Sequence, residues 1–173
     1  MSLAVAKSAD IIIFPVLSFT GYVPELANAL SAPIDTPQLD DFQSISDAAH
    51  CTIGLGMPVK NDLGISISMI LFRPHTPRGA YSKKYLHPDE EPFFISGQSS
   101  VGLIGAQSNI ALAICYELSI PAHSETALKN GAEIYIASVA KSAAGVEKAA
   151  QTLSDSARNH SMTVLMSNCL GYC

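Results

Sequence analysis

Of the residues able to do covalent chemistry, Cys115 has the most telling surroundings. It closes the apolar run that opens the stretch Ile110 to Pro121, IALAICYELSIP, and is followed there by polar residues and a proline. The run has the length and composition of a buried strand. Pro121 suits the first turn of a helix, where its missing N–H costs nothing. That helix should run through His123 to Lys129 and stop at Asn130-Gly131, a C-terminal cap signal with a lysine in the last turn. Glu133 to Val139 reads as the next strand. Cys115 therefore sits at the carboxyl end of a strand in a strand–helix–strand unit, the edge where open α/β sheets place ligands. A thiol near a helix N-terminus can have a lowered pKa and act as a nucleophile. The competing reading is a small buried hydrophobe, the commoner fate of a cysteine in an apolar run.

Other reactive side chains form weaker patterns. Cys51, Cys169 and Cys173 make no CxxC with each other or with Cys115. Four such cysteines in so apolar a chain read as reduced thiols of a cytoplasmic protein. The five histidines show no metal-ligand spacing, so no metal is expected. Gly54-Leu55-Gly56 lacks the third glycine of a dinucleotide fingerprint, and no cofactor is expected.

The elements that must position Cys115 follow from hydrophobic periodicity. Leu3 to Ser8 resembles the last turns of a helix. Ala9 to Phe14 reads as a buried strand rich in β-branched residues. Ser18 to Pro24 is a loop into a short helix, Glu25 to Leu30, and Leu39 to Ala49 fits another helix, with Phe42, Ile45 and Ala49 on one face. Thr52 to Val59 and Ile65 to Phe72 are strands around a hairpin turn at Lys60 to Gly64. Pro74 to Gly79 reads as a second turn, Ala80 to Leu86 as a strand, and His87 to Pro92 as a charged loop. Val101 to Ile104 should pair with Ile110 to Cys115 across residues 105–108. A helix from Ala143 to His160 and a strand from Thr163 to Asn168 complete the chain. Hairpins alternate with crossovers, which gives an α/β fold of mixed strand direction. A sheet with helices on one face and a second sheet on the other accounts for the composition.

That composition is 48% hydrophobic and 14% charged over 173 residues, enough for one domain with a sizeable core. No run reaches the roughly 18 apolar residues of a membrane span. A net charge of −5 disfavours nucleic acid, which demands a basic stripe. The N-terminus has neither the basic start nor the apolar stretch of a signal peptide.

Three stretches in order, FPVLSFTGY (Phe14 to Tyr22), YSKKYLHPDEEPFF (Tyr81 to Phe94) and IALAICYELSIP, resemble the signature regions of the carbon–nitrogen hydrolases, the nitrilase superfamily. GAEIYIASVAKS and TVLMSNCLG are similar to the family's later strands. The resemblance implies a single αββα four-layer sandwich domain over residues 1–173, without the usual first strand and the C-terminal part. It also implies hydrolysis of a non-peptide amide, nitrile or carbamoyl compound through a cysteine thioester. Cys115 matches the nucleophile and Lys83 the lysine that stabilises developing negative charge, assisted by the main-chain N–H of Tyr116. Glu90 or Glu91 matches a second glutamate that orients lysine and substrate, with Glu90 preferred. Strand alternation puts Lys83 and Tyr85 on one side and Lys84 on the other, so only one lysine can point inward. Without the resemblance, Lys83 reads as a solvated lysine and the two glutamates as a surface loop.

One position departs from the family. Phe14-Pro15-Val16 stands where the family has FPE, so Val16 occupies the place of the general-base glutamate. Valine cannot accept a proton, and loss of a catalytic base commonly costs about 10³–10⁶-fold in rate. The alternative function is thus an impaired pseudoenzyme that uses the same fold for binding or assembly. A redox role for Cys169 and Cys173 is a third reading, without a visible low-pKa environment. Ser138 to Lys141, just past a strand end, are candidates for the substrate pocket, with Lys141 able to meet a carboxylate. The partner expected at the site is a small molecule.

A chain this apolar leaves surface that a monomer would expose to water, and such patches mark partner sites. Self-association as a homodimer or higher homo-oligomer is the expected outcome. Light scattering at micromolar concentration tests it, and a clean monomer near 18.3 kDa would contradict it.

Overall fold

The longest strands of the computed structural model, β2 (Thr52–Asn61) and β3 (Gly64–Arg73), form an antiparallel hairpin. The model describes residues 1–98, 103–104 and 109–169. The hairpin is buried on both faces from Ile53 to Val59 and from Ser66 to Phe72, which explains its nearly continuous apolar sequence. Asp62 and Leu63 turn it, with the Leu63 N–H donating to Asn61 Oδ1 at 2.9 Å. Strand β1 (Ile11–Ile13) adds in parallel beside β2, and β4 (Thr76–Ser82) adds antiparallel beside β3. The first sheet therefore has the order β1-β2-β3-β4.

The second sheet has the order β5-β6-β7-β8. Its strands are β5 (Leu103–Ile104), β6 (Ile110–Ile114), β7 (Ile134–Val139) and β8 (Thr163–Asn168). Strands β6, β7 and β8 are mutually parallel, as crossover helices require. Those helices are α4 (Pro121–Lys129), between β6 and β7, and α5 (Ala143–His160), between β7 and β8. Ser142 caps α5, its Oγ accepting from the Gly145 N–H at 3.4 Å. The remaining helices are α1 (Ser2–Ala6), α2 (Ala27–Leu30) and α3 (Asp40–Ala49).

Three apolar clusters define the layers. Ile67, Met69 and Leu71 of β3 pack against Ile110, Leu112, Ile114 and Ile136 of the second sheet. On the outer face of the first sheet, Ile53, Leu55, Met57 and Phe72 meet Phe42 and Ile45 of α3. On the outer face of the second, Ala111, Ala113, Tyr135 and Ala137 meet Ala127 of α4 and Ala149 and Leu153 of α5. The result is the expected αββα sandwich. Among the described residues no helix is long and apolar enough to cross a membrane.

Local differences from the sequence reading have local causes. The strand expected at Ala80 to Leu86 begins earlier, at Thr76, so Lys83 lies one residue past its end. Pro77 suggested a turn, but β4 is an edge strand, where a missing N–H is tolerated. The turn shrinks to Pro74-His75, with His75 in the left-handed region (φ 54°) and its N–H held by Asp47 Oδ1 at 2.7 Å. The first strand is three residues rather than six. The helix expected at Glu25 to Leu30 is a 3₁₀ turn (Pro24–Leu26) running into α2. The turn expected at residues 105–108, the first half of the strand expected at Val101 to Ile104, and Cys173 fall outside the described residues. The expectation of four reduced thiols fails at Cys169, which is disulfide-bonded. Cys51 and Cys115 are free. Spacing along a chain reports on chelating motifs, not on which thiols can approach each other.

Gly56 shows how the sheet sets the path of the segment after β1. A Cβ there would lie 2.5 Å from the Leu17 amide nitrogen and 2.8 Å from the Pro15 carbonyl oxygen. Both are backbone atoms that cannot rotate away. Gly56→Ala should therefore push the Pro15-Val16-Leu17 segment off the sheet and cost about 1–3 kcal/mol. Urea denaturation measures it, and an unchanged midpoint would refute the close approach.

Candidate active site

Three loops at the strand ends build the site. The first is the turn after β6. Cys115 begins a 3₁₀ helix, Cys115–Ser119, and takes φ 49°. A non-glycine residue in the left-handed region is strained, and such strain clusters at functional turns. It lifts the half-buried Cys115 side chain off the regular strand path, at the carboxyl edge of the parallel β6–β7 pair.

The second loop follows β4. Lys83 is fully buried, its backbone pinned by N–H donation to the Ile67 carbonyl at 2.8 Å and by acceptance from Gly97 at 2.7 Å. Its Nζ donates to both oxygens of Glu90, at 2.7 and 2.6 Å. Glu90 is also fully buried and accepts from the Tyr22 hydroxyl at 2.8 Å and the His87 N–H at 2.7 Å. The charged loop is therefore exposed only in part: Asp89 and Glu91 are exposed, whereas Glu90 turns inward. Lys84 is exposed and Lys83 is not, so the alternation persists past the strand end.

The third loop carries Val16. It is 4% exposed and belongs to the same apolar cluster as Tyr22, Tyr81, Cys115 and Ala140. Buried Ser138 ties this segment to the second sheet by donating from Oγ to the Phe14 carbonyl at 2.8 Å. That bond commits the Ser138 hydroxyl proton to structure. Tyr22 links the loops electrostatically. Burial, then the Glu90 charge, then Cys115 all raise its pKa, so it remains a phenol and a donor.

Tyr116 follows Cys115 in the same turn, with its ring edge-on to His87 at 5.2 Å between centroids. Lys141, two residues past β7, is half-buried and clamped through its backbone. Its N–H donates to Asn168 Oδ1 at 2.8 Å and its carbonyl accepts from Asn168 Nδ2 at 3.1 Å.

A second buried carboxylate escapes the sequence reading. Glu117 is fully buried and accepts from the N–H groups of Lys84 (2.6 Å), Tyr85 (3.3 Å) and Ile114 (2.8 Å) and from the Tyr81 hydroxyl (2.9 Å). His123 lies beside it, bonded to Tyr81 at 2.8 Å and to Tyr135 at 2.7 Å. The only hint in the sequence is helical spacing, since His123 and Ala127 share the inward face of α4. Nothing local marks Glu117, whose partners are 30 or more residues away except at Ile114.

Against known proteins, the carbon–nitrogen hydrolase model matches residues 1–168. The chain belongs to the carbon–nitrogen hydrolase family. Among solved structures it is similar to the NitN amidase of Nesterenkonia sp. AN1. The two are 19% identical with a TM-score of 0.86, over 99% of this chain and 69% of that one. It is likewise similar to a cysteine-to-serine mutant of that amidase, assigned to the nitrilase superfamily: 20% identity, TM-score 0.85, 99% and 68% coverage. A glutamate-to-leucine mutant shows covalent addition of the acetamide moiety of fluoroacetamide at its active-site cysteine. It is 18% identical with a TM-score of 0.86, over 99% and 67% of the two chains. At these identities the likeness establishes the fold. No individually curated protein matches the chain.

The buried histidine gives the site a measurable pH response. Burial, followed by the Lys84 charge, lowers the His123 pKa from 6.5 to about 4. His123 is therefore neutral at pH 7, and its 3.5 Å approach to Glu117 is not an ion pair. The unfolded chain takes up this proton below about pH 6.5, the folded chain only near pH 4. The contribution is complete above 6.5 and is lost as pH falls between those values, about 3 kcal/mol in all. Urea denaturation at pH 7 and pH 4 should show the gap between wild type and His123→Gln narrowing by that order. Parallel pH dependences would contradict it.

Proposed function

We propose that Cys115 attacks the carbonyl or nitrile carbon of a small non-peptide substrate, with Lys83 as the cation for the developing oxyanion. The observation that carries this reading is the fully buried Lys83–Glu90 pair, linked to Cys115 through Tyr22, which donates to Glu90 and packs on the same apolar cluster as Cys115. Burying both charges costs several kcal/mol per ion before the pair is formed, which stability alone does not justify. In an amide the thiol adds to the carbonyl carbon, the C–N bond breaks, and the thiol proton leaves with the amine. Water then cleaves the thioester, returning the thiol and releasing a carboxylic acid. Tyr116 supplies a main-chain N–H to the oxyanion, and Glu90 orients Lys83; exposed Glu91 has no part. Lys141, at the rim past β7, would meet a carboxylate on the substrate.

Val16 decides which step suffers. Both thiol deprotonation and water activation want a base, and an apolar side chain in the cluster on which Cys115 packs supplies none. The chain should accept reactive electrophiles on Cys115 yet turn over unactivated amides slowly. The glutamate-to-leucine amidase mutant that still carries acetamide on its cysteine supports separating these steps. The second reading, a binding scaffold, is favoured by the tight packing of Val16.

Fluoroacetamide followed by peptide mass mapping should place an acetamide moiety on Cys115, absent in Cys115→Ala. Val16→Glu should raise hydrolysis of a simple amide at least about tenfold, or about 1.4 kcal/mol in the barrier. Lys83→Met in that background should abolish the gain. No adduct in the wild type and no gain from folded Val16→Glu would leave the scaffold reading standing.

A further inference from the structure

We propose that Glu117 is a positioning residue that fixes the distance between the Cys115 turn and the Lys83 segment, and that a directed chain through Tyr81, His123 and Tyr135 holds its carboxylate in place. The proposal rests on the assignment of Cys115 as nucleophile. Its starting observation is where the four donors to Glu117 come from. The Ile114 N–H immediately precedes Cys115. The N–H groups of Lys84 and Tyr85 immediately follow Lys83. One carboxylate thus spans the two sheets at the point where nucleophile and cation must meet.

The proton inventory gives the chain a direction. The phenol of Tyr81 has one proton, and it goes to Glu117 Oε2. Toward His123 Nε2 the Tyr81 oxygen must accept, so neutral His123 carries its proton on Nε2. Nδ1 is then an acceptor and takes the Tyr135 hydroxyl proton. Each proton points toward Glu117, so each donor strengthens the next. The other groups facing His123 are the Tyr85 ring, at 6.2 Å, and the Lys84 charge. A carboxamide cannot replace the carboxylate, because its NH₂ would face at least one N–H donor.

Labelling with iodoacetamide separates positioning from ordinary stabilisation, because Cys51 is an internal gauge of opening. It is a free thiol, 1% exposed, packed under α3 far along the chain from the site. In the wild type, Cys115 should label much faster than Cys51. In Glu117→Gln the Cys115 rate should fall about tenfold or more, as misplacement of reacting groups does, while Cys51 labels no more slowly. A purely structural role would instead raise both rates together. Tyr135→Phe removes only the far hydroxyl of the chain. It should slow Cys115 severalfold and turn the His123 imidazole NMR signature from the Nε2–H tautomer into a mixture. If folded Glu117→Gln labels Cys115 as the wild type does, the proposal is overturned. If Glu117→Gln does not fold, unchanged labelling and tautomer in Tyr135→Phe overturn it instead. A wild type in which Cys115 labels no faster than Cys51 refutes the nucleophile assignment itself, which is a distinct result.

Discussion

The Lys83–Glu90 ion pair is the constraint around which the rest of the site is arranged. An ammonium and a carboxylate with no exposure to water are tolerable only if every charge-bearing atom is matched. The structure meets that condition from three directions: the lysine occupies both carboxylate oxygens, Tyr22 reaches in from the loop after β1, and the His87 N–H closes the last side. Removing Lys83 would leave the Glu90 charge buried without its counter-ion, and removing either other donor would leave a lone pair of the carboxylate unmatched. The loops are therefore held by the ion pair as much as the ion pair is held by them.

The sandwich makes this convergence possible. Lys83 leaves the edge of one sheet and Cys115 the edge of a strand in the other, and the apolar layer between them fixes their separation. Two polar links cross that layer near the site, from Ser138 to the Phe14 carbonyl and from Glu117 to the Lys84 and Tyr85 amides. Each is buried and directional, so each specifies register where apolar packing alone would allow sliding.

Val16 fits the fold, and its side chain offers no proton acceptor. A glutamate at this buried position would be a further desolvated charge and would need its own partners. Valine removes that demand and fits the apolar cluster around Cys115. Under the proposed mechanism the same valine withdraws the proton acceptor, a familiar opposition between stability and function.

The layers and most of the elements are legible in the sequence, because they depend on short-range signals. The limits of α5 and β8 agree with those expected from the sequence pattern. Cys115 stood out because a buried strand ended in a thiol followed by Pro121. Lys83 and Glu90 needed the order of three motifs, since a lysine and a glutamate in a charged loop look solvated one at a time. The limits of β4 were misjudged because Pro77 signals a turn, and only pairing with β3 shows that it lies on a free edge. Glu117, His123, Tyr81 and Tyr135 were invisible as a group. Their contacts join residues 12 to 42 positions apart, and nothing in local propensity encodes which buried polar atoms will face one another. The sequence by itself determined the periodic faces and the reactive side chains. Tertiary structure decided which charges are taken out of water, because desolvation depends on what the other sheet brings to the same point.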